Sequence, residues 1–241
     1  MKRHLSSLLG LAAGVLCIFS SMNSFVTVVP WCEYDFYQTA TAFCALSFMF
    51  AFAWLVLNAR RRRYVRCGVS CVCLLLSGFF LFVNAMTFSG LSCVRNVGMS
   101  MDSFPSVCAA ARTVAERSEG SRDWTLTKVS SCRRPRSRFC QISLVARSKD
   151  GEILLGSSCG DGSWSVKHRK DAPESLPKRN VEEVFREILA RDPSVVSNDD
   201  IAVEWSPQDG TWGANCYSAR ESRITGYSLS EDFSDFRKWD Y

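Results

Sequence analysis

Histidine is nearly missing from this chain: of 241 residues, only His4 and His168 carry an imidazole. Structural zinc takes four Cys or His ligands in closely spaced pairs. The twelve cysteines include no CxxC pair, and Cys71 and Cys73 lie inside an apolar run, so neither a metal nor any other cofactor is expected. Scarce histidine also argues against nucleophilic catalysis, which needs a base beside the Ser, Thr or Cys. His168 is flanked by Lys167, Arg169 and Lys170 and reads as a solvated strand end. The chain has no glycine-rich phosphate loop and no HExxH. Its paired acids have simpler explanations, Glu182-Glu183 at a helix start and Asp199-Asp200 in a turn. An enzyme is therefore not expected.

A second absence concerns long uncharged runs. Three of them, 5–31, 36–59 and 67–94, contain no ionisable side chain apart from cysteine and tyrosine, and about 20 apolar residues cross a bilayer as helix. Membrane spans are expected at about 5–29, 38–59 and 67–90, with Trp31, Tyr34, Tyr37 and Trp54 suited to the headgroup region. Transport pathways leave ionisable groups at mid-membrane. These runs read instead as an anchor over 1–94, in which Ser70, Ser77 and Asn84 make helix-packing contacts.

The basic residues give an orientation. Before Arg95 there are seven (Lys2, Arg3, Arg60 to Arg63, Arg66) against Glu33 and Asp35, which accounts for the whole net charge of +5. Cytoplasmic loops collect Lys and Arg. The expected protein is multi-pass in the cytoplasmic (inner) membrane, with a cytoplasmic N-terminus and an extracytoplasmic C-terminal domain. The basic start and the apolar run over 8–19 also resemble a secretory signal peptide. Cleavage would leave two spans without changing the side on which the C-terminal domain falls.

The remainder carries 22 basic and 22 acidic residues. That neutrality removes nucleic acid as a partner. It hides a polarity, because residues 95–147 sum to +6 and residues 148–241 to −6. Two stretches are candidate protein-binding elements: Arg133, Arg134, Arg136 and Arg138 in one loop, and the C-terminal segment with Phe233, Phe236 and Trp239. The arginines read equally well as a solvated loop, and the default for the C-terminal aromatics is to tuck back onto the domain.

Residues 95–122 are expected to be a helical connector, with a helix over 104–117 capped by Asp102 or Ser103 and Pro105 in its first turn. Residues 123–241 are expected to be an extracytoplasmic α+β domain: strands over 124–131, 139–147, 152–158 and 164–168, a linker over 171–179, and a second helix capped by Asn180 with the apolar stripe Val181, Val184, Phe185, Ile188 and Leu189. Strands over 201–205, 212–218 and 223–229 complete an antiparallel sheet with two helices. Asp161-Gly162-Ser163-Trp164 and Asp209-Gly210-Thr211-Trp212 echo each other, and Asp-Gly is a hairpin-turn signal. The echo stops after four residues, which favours two unrelated hairpins over a duplication.

Oxidising compartments pair cysteines, so Cys93, Cys108, Cys132, Cys140, Cys159 and Cys216 are disulfide candidates. A Cys132–Cys140 bridge closing the arginine loop would contribute about 2 to 4 kcal/mol. Two functions follow. The first is a non-enzymatic membrane protein presenting a disulfide-supported extracytoplasmic protein-binding domain, as an immunity protein or an envelope-complex accessory subunit does. The second is a membrane effector, in which the spans self-associate through Gly10, Ala12, Ala13 and Gly14 and permeabilise the bilayer when the soluble domain senses a trigger.

Overall fold

The computed structural model describes residues 2–25, 33–99, 103–118, 123–133, 140–158, 162–197 and 199–241. The chain divides into two compact units, Met1–Ser89 and Gly90–Tyr241.

The first unit holds three helices, α1 (Lys2–Phe25), α2 (Glu33–Arg60) and α3 (Tyr64–Phe88). Its polarity is inverted relative to a water-soluble bundle. Small and polar side chains fill the interior, with Ala13, Ser47, Ser70, Ser77 and Asn84 buried, while Leu11, Met49, Leu75, Phe79 and Phe82 are exposed. Ser47 Oγ donates to the Ala13 carbonyl at 3.2 Å and meets Ser77 Oγ at 2.7 Å, and Asn84 Nδ2 reaches Cys44 Sγ at 3.6 Å. Helices in lipid associate through such small-residue contacts and interhelical hydrogen bonds, because apolar surface gains nothing by leaving lipid.

The expectation of three spans is corrected to two. Among the described residues, Tyr37–Arg60 and Tyr64–Thr87 are long and apolar enough to cross a membrane, with mean hydropathy 2.1 and 2.2, and Ser7–Ile18 of α1 is a shorter apolar stretch.

The second unit is built on a nine-stranded antiparallel sheet. Its strands are β1 (Leu91–Val94), β2 (Thr125–Arg133), β3 (Cys140–Arg147), β4 (Glu152–Ser158), β5 (Trp164–Lys170), β6 (Asp200–Ser206), β7 (Thr211–Ser218), β8 (Arg223–Ser230) and β9 (Phe236–Asp240). They lie in the order β1-β5-β4-β3-β2-β6-β7-β8-β9. Two helices, α4 (Phe104–Arg117) and α5 (Val181–Arg191), pack on one face. Ser103 caps α4 by accepting from Ser106 N at 3.4 Å, with Pro105 in the first turn, and Asn180 and Glu183 form a reciprocal capping box at the start of α5. Phe104 and Phe185 meet at 4.7 Å between ring centroids, and Arg112 bridges to Glu182 at 3.4 Å.

Two expectations change here. Residues 95–122 do not form a separate connector, because α4 buries Phe104, Val107, Cys108, Ala111 and Val114 in the core shared with the sheet. Residues 91–94 leave the third apolar run, since α3 ends at Phe88 and Gly90 (φ +76°) turns the chain into an edge strand. The main-chain plan also repeats: a helix and four antiparallel strands (α4, β2 to β5) are followed by another helix and four strands (α5, β6 to β9), the halves joined by antiparallel β2–β6 pairing. The two Asp-Gly turns fall at non-equivalent places in this repeat, before the fourth strand of one half and the second strand of the other. They are independent hairpins, and Gly162 (φ +82°) and Gly210 (φ +62°) supply the positive φ each requires.

Candidate binding surface on the uncovered sheet face

Alternate residues of a strand point to opposite faces, and cross-strand partners share one. Val129, Val203, Ala214 and Tyr227 belong to the helix-covered face. Lys128, Ser130 and Cys132 of β2, Asp200, Ala202 and Glu204 of β6, Gly213, Asn215 and Tyr217 of β7, Ile224, Gly226 and Ser228 of β8, and Arg237 and Trp239 of β9 belong to the other. Among the described residues no α-helix of this unit covers that second face; α4 and α5 both pack on the first.

Two concavities lie on it and share Ala202 and Asn215, forming one trough along β6 and β7. The part of about 250 Å³ is bounded by Cys132, Asp200, Tyr217 and Ile224. The part of about 450 Å³ is bounded by Glu204, Pro207, Asp209, Ser228 and Trp239. The floor is low because Ser130, Ala202 and Gly213 raise little or no side chain. Gly226 serves a different purpose: a Cβ there would fall 2.3 Å from Trp239 Cε2 and Nε1, so the indole lies directly on the glycine backbone. Its other side faces outward, leaving Trp239 36% exposed. Lys128 Nζ bonds Glu204 Oε2 at 2.7 Å across the rim. A smaller hollow of about 220 Å³ lies on the other half of the sheet, beside Arg147, Ile153, Leu155 and Arg169. Its guanidinium groups are engaged by Glu174 at 2.8 Å and Asp171 at 3.1 Å.

The candidate binding residues fare differently. Arg134, Arg136, Arg138 and the side chain of Arg133 lie outside the described residues. Phe233 and Phe236 pack partly buried against the core, with Arg179 5.4 Å from the Phe233 centroid and Arg191 4.9 Å from that of Phe236. They fasten the C-terminal hairpin, so of the three aromatics only Trp239 contributes to the uncovered face.

The described residues cover the expected disulfide framework only in part, the side chains of Cys140 and Cys159 lying outside them. No disulfide is present among the described cysteine side chains. Register opposes Cys132 to Gln141 and Arg133 to Cys140, so positions 132 and 140 belong to opposite faces and the expected local bridge has the wrong geometry. Cys93 is on edge strand β1, Cys216 is buried in β7, and Cys159 lies outside the described residues. Cys108 is buried in α4, where loss of solvent and the nearby Glu182 carboxylate push its thiol up to about 12 against the opposing effect of Arg112. It is a core residue, without the thiolate character that reactivity demands.

Comparisons with protein-family models, curated proteins and solved structures find no match. The surface must be interpreted from its own chemistry. The class that the architecture defines is a repeated helix-plus-four-strand sheet unit with one face left open, in a chain that also carries two membrane-length helices.

Proposed function

We propose that this protein is a non-enzymatic, membrane-anchored binding protein whose sheet unit presents its uncovered face to a protein partner outside the cytoplasmic membrane. The single observation that carries this reading is the trough on that face, bordered by an outward indole and by carboxylates, while both helices of the unit lie on the opposite side. The inverted polarity of the first unit supports anchoring. The arginines at 60–63 and Arg66, at the junction of α2 and α3, support a cytoplasmic junction with the sheet unit on the other side. An immunity-type or envelope-complex accessory role fits this arrangement.

The placement is tested by thiol labelling. Cys216 is only 1% exposed and would be unreactive on either side of a membrane. Arg220, exposed in the β7–β8 turn, is the better position. In intact cells, Arg220→Cys is expected to react with an impermeant maleimide above the wild-type level; reaction only after permeabilisation would place the unit in the cytoplasm.

Binding is tested with a photo-crosslinking amino acid. Discrete adducts are expected from position 215 on the uncovered face and not from position 186 on the exposed side of α5. Equal adducts from both positions, or none from 215, would remove the uncovered face as the receptor.

A further inference from the structure

We infer that β9 pairs with β9 of a second copy of this chain, joining two sheet units into one continuous antiparallel sheet. This goes beyond the reading of the uncovered face and does not rest on it. The internal repeat exposes what is missing. β5 and β9 are the outermost strands of equivalent halves; β5 is covered along its outer edge by antiparallel β1, whereas β9 ends the sheet with no strand on its outer side among the described residues. Main-chain groups are turned toward that edge. Ser230 N donates to Asp235 O at 3.0 Å and Tyr241 N donates to Ile224 O at 2.9 Å, so the odd-numbered residues of β9 hydrogen-bond to β8. Alternation in an antiparallel ladder then points the N–H and C=O of Phe236, Lys238 and Asp240 away from the sheet. Such a row is a template for another strand.

Free edges are ordinarily guarded by charged side chains, and here those side chains are held back on their own unit. Lys238 Nζ rests on Asp192 Oδ2 at 2.6 Å, Asp240 accepts from Thr225 Oγ1 at 2.8 Å, the Trp239 indole lies on Gly226, and Phe236 packs on the core. The sequence of the strand identifies the occupant as a second copy. Two identical edges related by a dyad pair antiparallel, each presenting the same residues to the other. With the dyad at Lys238, all five residues of β9 pair and its three outward positions all form hydrogen-bonded pairs. A dyad at Arg237 or Trp239 would pair only three residues of the strand, and the former would set Arg237 against itself. In the Lys238-centred register, Arg237 of one protomer lies opposite Trp239 of its partner, and this contact occurs twice. These are non-hydrogen-bonded positions, where side chains of an antiparallel pair come closest. Arg237 pairs with Asp235 along its own strand at 2.9 Å and stays 74% exposed, free to lay its guanidinium on the outward side of the indole. On the opposite face Lys238 falls diagonal to Asp240 of the partner, which joins opposite charges. The like-charged pair at the dyad, Lys238 with Lys238, is balanced by the two Asp192 carboxylates.

The test uses the full chain in detergent, its protein mass read by light scattering over a dilution series. Twice the 27.0 kDa of one chain is expected; the mass of one chain throughout would overturn the inference. Lys238→Pro removes an N–H that β8 does not use, a position where edge strands tolerate proline. Lys238→Ala loses the same contact with Asp192 and keeps the N–H, so it controls for stability. Lys238→Pro is expected to weaken dimerisation about tenfold or more, two main-chain hydrogen bonds being lost, and Lys238→Ala to leave it unchanged. Equal dimerisation of the two variants would overturn the inference. A crosslink reads the register. In cells expressing two differently tagged copies, Arg237→Cys in one and Trp239→Cys in the other are expected to give a disulfide-linked pair on oxidation with copper phenanthroline, in higher yield than Arg237→Cys in both. A doubled mass without that crosslink would place the contact elsewhere on the chain and overturn the inference, while leaving the reading of the uncovered face untouched.

Discussion

Trp212→Ala is expected to destabilise the sheet unit by about 3 to 5 kcal/mol, the range for deleting a large buried aromatic. Trp212 is fully buried and meets Trp205 at 5.4 Å, with the rings tilted by 56°. It occupies the second position of β7, immediately after the Asp209-Gly210 turn, so its side chain bridges the β6–β7 hairpin and the core beneath. Removing the indole opens a cavity that rigid strands on both sides cannot collapse into. A domain of this size has only about 5 to 15 kcal/mol in hand, so the loss is a large fraction of the total. The Trp212 indole N–H is buried with no hydrogen-bond partner, which gives the experiment an internal control. Trp212→Phe keeps most of the apolar contact and removes the orphaned donor, and it is expected to recover most of the stability. Thermal unfolding followed by circular dichroism in detergent measures both. Equal losses for Ala and Phe would show that packing against Trp205 is not the source.

Asp192→Ala is expected to cost about 2 to 3 kcal/mol, because one carboxylate at the end of α5 holds three elements together. Tyr227 Oη of β8 donates to Asp192 Oδ2 at 2.8 Å, Lys238 Nζ of β9 donates to the same oxygen at 2.6 Å, and Ser194 Oγ donates to Oδ1 at 2.6 Å. Tyr227 is 1% exposed, so truncating its acceptor leaves a buried hydroxyl unpaired. Beside it, Arg191 Nη2 donates to the Phe233 carbonyl at 2.8 Å. The C-terminal hairpin is therefore latched to the helix, and in Asp192→Ala its proteolysis should accelerate before the rest of the unit is cut. Tyr227→Phe is expected to cost less, since Lys238 and Ser194 still satisfy the carboxylate.

The same carboxylate makes a pH signature. Partial desolvation pushes the Asp192 carboxyl up, but the hydrogen bonds from Lys238, Ser194 and Tyr227 outweigh it and hold the group well below the usual carboxylate range. A depressed folded-state value means that the stabilisation is complete above the unfolded value of about 3.9. It is lost as pH falls through that value toward the folded one. Wild type should therefore lose more melting temperature between about pH 5 and pH 3 than Asp192→Asn does. Parallel curves would show that Asp192 is not the titrating group. Tyr227, raised by burial and by the Asp192 carboxylate, acts at the other extreme: its contribution is intact below about pH 10 and declines only at higher pH.

Much of the local structure was legible in the chain because it depends on neighbours in sequence. Asn180 followed by Glu183 specifies the capping box of α5, Asp-Gly specifies two turns, and strict alternation over 201–205 specifies a strand with one buried face. Edge strands were harder. Residues 91–94 are apolar and continue a hydrophobic run, so only the pairing of Leu91 with Lys167 and Val94 with Trp164 shows them as β1. Residues 236–240 mix charge with aromatics, and their strand character comes from Tyr227 and Gly226 across the hairpin.

The candidate site was less legible still. Sequence singled out the aromatics of the C-terminal segment without separating Trp239, which faces outward, from Phe236, which tucks inward; the alternation of β9 decides this. The trough itself draws Ser130, Ala202, Gly213, Asn215 and Ser228 from four strands, and no short window of sequence holds more than two of them. The cysteines show the same limit. Their number suggested a disulfide framework, and the β2–β3 register opposed Cys132 to Gln141 instead of Cys140, since one residue of offset changes the face on which a side chain emerges.

The sequence by itself therefore determined what depends on composition and near neighbours: the apolar helices, the arginines between them, the scarcity of histidine, the caps and the turns. Tertiary structure alone decided that α4 and α5 share one face of a nine-stranded sheet and leave the other uncovered. That outcome rests on long-range strand order and on the one-residue register of each pairing. Hydrophobic burial over the whole unit sets both, and no single segment encodes them.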